Sequence, residues 1–139
     1  MSEKYVPTFT LNDGVEVPAV GLGTWQMQGD EVITAVRSAI DTGYRHIDTA
    51  AFYQNEADIG QAIHDAISAG DVTREELFVT SKVWNDQQSD HEVQAAFRAS
   101  LTNLGLDYLD CYMVHWPCPS TGRHVERFAA LSTLQGLGD

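Results

Sequence analysis

The chain has 139 residues and carries 20 acidic against 8 basic side chains, a formal charge of −12 at pH 7. That balance argues against nucleic acid and against an anionic membrane surface, both of which are bound through clustered Lys and Arg. Nothing approaches the roughly 18 consecutive apolar residues of a membrane span, residues 1–10 contain Lys4 but no apolar signal core, and Cys111 and Cys118 lack the spacing of a disulfide framework. The composition reads as one globular domain over residues 1–139, cytoplasmic, with free thiols. No Cys or His pair stands at metal-ligand spacing, so no metal is expected.

Phe9-Thr10-Leu11 and Val15-Glu16-Val17 flank Asn12-Asp13-Gly14, a turn tripeptide that predicts a β-hairpin ended by Pro18. Ala19 to Gly23 reads as a short buried strand whose glycines allow close approach of backbone or ligand. Asp30 is the expected N-cap of a helix carrying Val32, Ile33, Val36, Ala39 and Ile40 at helical spacing, stopped by Gly43. A strand then runs to Asp48, and a second helix from Asn55 carries Ile59, Ala62, Ile63, Ala66 and Ile67 as far as Gly70. Thr73 to Glu76 has capping-box spacing and predicts a single helical turn before the strand Phe78 to Lys82. Ser89 to Glu92 is a second such box, opening a helix with Val93, Ala96, Phe97, Leu101 and Leu104 that ends at Gly105. The fourth strand, from Leu109, closes at His115-Trp116-Pro117. A last helix is expected to bury Val125, Phe128, Ala129, Leu131 and Leu134 and to close at Gly136.

Strict strand-helix alternation with right-handed crossovers gives a parallel sheet whose chemistry lies at the carboxyl ends of its strands. The order is an N-terminal β-hairpin and then four βα units, where a (β/α)8 barrel needs eight and about 250 residues. The fourth unit is followed by Gly138-Asp139, where a fifth strand would be due, so the sequence reads as half a barrel.

Asp48, Lys82 and His115 each close an apolar strand, at intervals of 34 and 33 residues. That interval is one βα unit, which brings all three to one rim, with Tyr53 in the loop above them. A tyrosine hydroxyl, with a reference pKa of about 10, gives up its proton more readily beside a lysine cation. An aspartate paired with the lysine keeps it charged and oriented, and a neutral histidine can hydrogen-bond a carbonyl oxygen. Such a set would protonate a carbonyl oxygen during reduction, and the hydride would have to come from a cofactor. Each residue also has a structural reading: a helix-capping aspartate, a solvent-facing lysine, a core histidine, a packed tyrosine.

These residues resemble those of the aldo-keto reductases. Gly43 to Gly60 looks like the first signature of that family and Leu101 to Pro117 like its second, ending in His-Trp-Pro, and the resemblance extends over residues 8–135. It implies a (β/α)8 barrel plugged by the hairpin and NADPH-dependent interconversion of aldehydes or ketones with alcohols. It also implies a catalytic tetrad of Tyr53 as general acid with Asp48, Lys82 and His115. Gly23, Thr24 and Asp48 would lie against the cofactor, Thr24 at its nicotinamide-ribose end. Trp25, Trp84, His115 and Trp116 would wall the pocket for a small carbonyl or alcohol substrate. His46, His64, His91 and His124 take no catalytic role.

The family's third signature, a basic stretch for the cofactor's 2′-phosphate, is absent, and Cys111 stands where a leucine is usual. A competing reading therefore stands beside the enzyme. In it the chain is a catalytically incompetent fragment or interaction module that self-associates through its open edges, Val20 to Gly23 and Leu109 to His115. A regulatory subunit with the same barrel and tetrad is a third reading.

Overall fold

The computed structural model describes residues 6–137. The signal reading of residues 1–5 and the expected chain stop at Gly138-Asp139 lie outside the described residues. β1 (Thr8–Thr10) and β2 (Glu16–Pro18) form the antiparallel hairpin in the register Thr8 to Pro18. Glu16 accepts hydrogen bonds from the hydroxyls of Thr8 and Thr10, which hold its carboxyl below the usual range.

The rest is one parallel sheet in chain order, β3 (Gly21–Gly23), β4 (His46–Asp48), β5 (Phe78–Val83) and β6 (Cys111–Val114). Helices α1 (Asp30–Thr42), α2 (Glu56–Ser68) and α3 (Asp90–Leu104) cross between successive strands, and α4 (His124–Leu137) follows β6. β5, an inner strand and fully buried, turns Val79, Ser81 and Val83 to one face and Phe78, Thr80 and Lys82 to the other. Val32, Val36 and Ile40 of α1 and Ile59, Ala62 and Ile63 of α2 pack on Ile47 and Val79, giving the main core.

Local signals explain the element ends. Gly43 takes the left-handed conformation, φ 115°, and its N–H closes α1 onto Ala39 and Ile40. Both bonds of the Ser89–Glu92 capping box form at the start of α3, where the backbone N–H donors hold the Glu92 carboxyl below its ordinary pKa. Glu56, buried at the start of α2, accepts from Ser81 Oγ at 2.9 Å and Ser100 Oγ at 3.2 Å, so one carboxylate ties α2, β5 and α3 together.

Four local expectations are corrected. The cap of α1 is Gly29, whose N–H donates to Asp58, and Asp30 is already helical. Thr73 to Glu76 forms a hydrogen-bonded turn, with the Thr73 N–H on Glu76 Oε2 at 2.7 Å, and not a helix. β3 is an edge strand of the sheet and is largely exposed, Val20 beside it included. The buried face of α4 is Arg127, Ala130, Leu131 and Leu134. Val125, Phe128 and Ala129 are exposed, and Gly136 lies inside the helix.

Candidate active site

Asp48 is the last residue of β4, Lys82 the penultimate residue of β5, and His115 follows β6, its N–H on the Val83 carbonyl at 3.1 Å. Parallel registers of Asp48 with Thr80 and Lys82 with Met113 bring the three strand ends side by side. The Lys82 ammonium donates to Asp48 Oδ1 in an ion pair and to the Thr49 carbonyl at 3.0 Å. Lys82 is only 9% exposed, whereas the Asp48 side chain keeps 42% of its surface, so the pair opens to solvent on the aspartate side.

Tyr53 ends a 3-10 turn, Ala51–Tyr53, closed by its own N–H on Ala50 at 3.1 Å and braced by Gln28 Nε2 on its carbonyl at 2.8 Å. Its ring centre lies 5.2 Å from the Lys82 Nζ and 5.7 Å from the His115 ring. Tyr53, Lys82, Asp48 and His115 therefore converge, as their spacing predicted. Trp84 joins them, edge-on to His115 at 5.1 Å and stacked on Phe52 at 3.8 Å. Trp116 lies parallel to His115 at 6.4 Å and is mostly exposed. It borders a shallow depression lined by Asn85, Pro117, Cys118 and Pro119. Trp25 is 62% exposed and makes no ring contact among the described residues.

Burial lowers the pKa of His115, the Lys82 cation lowers it further, and Asp48 only partly offsets them. The imidazole is thus neutral at pH 7. Because the folded value lies below the ordinary 6.5, the unfolded chain takes up the proton first as pH falls. This contribution is constant above about pH 7 and stability declines as pH drops through 6.5 toward the folded value. A proton NMR titration of His115 should give a midpoint below 6.5; a midpoint at or above it would contradict this environment.

Thr24 directly follows β3. It is fully buried, and its N–H and hydroxyl both donate to the Asp48 carbonyl, at 3.2 and 2.9 Å. Its own carbonyl accepts from Asn55 Nδ2 at 2.7 Å. With these hydrogen bonds turned inward, Thr24 fixes the main chain at Asp48. Gly23, opposite Asp48 in the register, is exposed with open space above it.

Sequence reading gave no role to Asn55, Thr49 or Phe52. Asn55 is buried, binds the Thr24 and Met27 carbonyls and accepts from Thr49 Oγ1 at 3.1 Å, tying the β3 and β4 loops together. Its position before α2 resembles a cap, yet it makes no capping bond, so the available signal pointed to the wrong partner. Among the described residues no cluster of three His, Cys, Asp or Glu could hold a metal, and both cysteines are free. No described helix is long and apolar enough to cross a membrane.

A parallel βα sheet with polar residues gathered at its carboxyl rim is the architecture of barrel enzymes. The aldo/keto reductase family model matches residues 19–139, and the chain belongs to that family of oxidoreductases. It is 51% identical over 130 residues to the uncharacterized oxidoreductase YtbE of Bacillus subtilis, covering 93% of this chain and 46% of that protein. It is 46% identical over 129 residues to the methylglyoxal reductase DkgA of Escherichia coli, covering 92% and 44%. The crystal structure of Bombyx mori aldo-keto reductase AKR2E4 in complex with NADP matches with a TM-score of 0.88 at 44% identity, over 96% of this chain and 48% of that one. An aldo/keto reductase from Brucella melitensis matches with a TM-score of 0.89 at 42% identity, over 96% and 50%. The fold is thus the hairpin and first four βα units of the family's (β/α)8 barrel, and the chain spans about half the length of the curated relatives it matches.

Proposed function

We propose that the rim of this chain serves NADPH-dependent interconversion of aldehydes or ketones with alcohols, with Tyr53 as general acid. The observation that carries the reading is the meeting of Tyr53, Lys82, Asp48 and His115 at one group of strand ends. The relatives named for methylglyoxal reduction and solved with NADP add support for the substrate and cofactor class.

In this reading the Tyr53 hydroxyl holds the proton that goes to the substrate oxygen. Lys82, fixed by Asp48 and the Thr49 carbonyl, holds a positive charge beside the tyrosine and stabilises the phenolate left behind. The neutral imidazole of His115 orients the carbonyl, while Trp84, Phe52 and Trp116 narrow the water-accessible space around it. When bound, the nicotinamide supplies the hydride.

The residues present fit the reducing end of that cofactor. Gly23 leaves open space and Asp48 keeps an exposed carboxylate able to accept from a ribose hydroxyl. They do not fit its phosphates, because the rim's cation, Lys82, is committed to Asp48 and Thr49. Other described basic side chains are engaged too, Arg37 with Asp71, Arg74 with Asp110 and Arg123 with Glu126.

Residues 1–139 then act as one domain, in the cytoplasm. The test is aldehyde-dependent oxidation of NADPH by the purified chain, read at the nicotinamide absorbance. Saturable turnover is expected, and a folded chain that gives none at any aldehyde concentration would sink the reading.

One observation favours a second reading, self-association. β3 and β6 are both open edges of the parallel sheet, and Met113, Val125 and Phe128 near the β6 side are exposed. Molecular mass by light scattering separates a paired from a single chain.

A further inference from the structure

We infer that Arg127 is a positioning residue that clamps the two aromatic loops of the rim from beneath, an inference that rests on the proposed role of the rim. Arg127 lies in α4, outside the four strand-end positions, and none of its surface is exposed. Its Nη1 donates to the Trp116 carbonyl and its Nη2 to the Trp84 carbonyl, each at 3.0 Å. Trp84 comes two residues after Lys82, and Trp116 directly follows His115. One guanidinium therefore ties the loop after β5 to the loop after β6, and through them the chain positions of Lys82 and His115.

The chemistry of the clamp is specific to arginine. A guanidinium is planar and presents donors in a rigid fork, so it can bind two separate carbonyls at once in fixed geometry. Among the described residues no carboxylate pairs with Arg127, and its buried Nε has no acceptor. A buried polar cation is sustained only where its N–H groups find acceptors. Here those acceptors are the carbonyls of two pocket-wall tryptophans, so the buried group and the loop geometry depend on each other. Breaking the clamp would free the Trp84 and Trp116 carbonyls and allow the Trp84, His115 and Trp116 rings to shift relative to one another.

The experiment records indole N–H signals by NMR in the full chain, where Trp25, Trp84 and Trp116 give three resolved probes. Arg127→Met keeps the bulk and removes the donors. The Trp84 and Trp116 signals are expected to shift and broaden while Trp25, on the loop after β3, stays in place. Arg127→Lys, which can reach one carbonyl at a time, should recover one of the two signals. Unmoved Trp84 and Trp116 signals in the folded Arg127→Met protein would overturn the inference, as would equal shifts in all three, which mark a general loss of packing. If Arg127→Met does not fold, Arg127→Lys alone decides: a shift confined to Trp84 or Trp116 supports the clamp, and an unchanged spectrum refutes it. Failure of the rim reading is seen elsewhere, as absent NADPH-linked turnover in a wild-type chain whose indole signals are intact.

Discussion

Tyr53→Phe is expected to lower NADPH-linked aldehyde turnover by about 100-fold to 10,000-fold, the range for loss of a positioned general acid. The substitution removes one oxygen and leaves the ring contacts, so the edge approach to His115 and the position beside Lys82 persist. The 3-10 turn is held by the Tyr53 N–H on the Ala50 carbonyl and by the Gln28 side-chain amide on the Tyr53 carbonyl, neither of which involves the hydroxyl. Melting temperature should therefore stay near that of wild type while turnover collapses. Retention of more than about a tenth of the rate would place the proton donor elsewhere.

Gly60→Ala is expected to weaken the fold. An added Cβ would sit 2.3 Å from the Leu104 carbonyl oxygen and 2.7 Å from its carbon, both backbone atoms at the end of α3. Alanine favours a helix interior over glycine by about 1 kcal/mol, whereas overpacking costs about 1–3 kcal/mol. The contact is with backbone that cannot rotate away, so the upper end of the overpacking range applies and outweighs the propensity gain. A net loss of about 1–2 kcal/mol should lower the melting temperature by several degrees. An unchanged or raised value by thermal denaturation would mean that α2 and α3 separate more easily than their packing implies.

Element order and the rim were legible because their signals are local. Gly43 and Gly105 mark helix ends, Ser89 and Glu92 make a reciprocal box, and Asp48, Lys82 and His115 each end an apolar run. Burial of β3 was not legible, since exposure depends on which strands flank it, and here β3 has a neighbour on one side only. The face of α4 was misjudged for a related reason. Phe128 is the most apolar choice by type, yet Arg127, Ala130, Leu131 and Leu134 lie at i, i+3, i+4 and i+7 and turn inward together. That stripe was in the sequence, but an arginine at its head reads as a solvent residue unless carbonyl partners are known. The bond from Asn55 to the Thr24 carbonyl was not legible either: it joins loops 31 residues apart, and no short-range pattern encodes such a pair.

The most direct measurement follows deuterium from specifically labelled NADPH to a small aldehyde incubated with this chain, reading the alcohol product by mass spectrometry. One deuterium on the former carbonyl carbon is expected with wild type, and with Tyr53→Phe the same labelled alcohol is expected to form at least about 100-fold more slowly. Unlabelled alcohol from wild type would contradict hydride transfer at this rim, and labelled alcohol formed equally fast by both proteins would contradict Tyr53 as the proton donor.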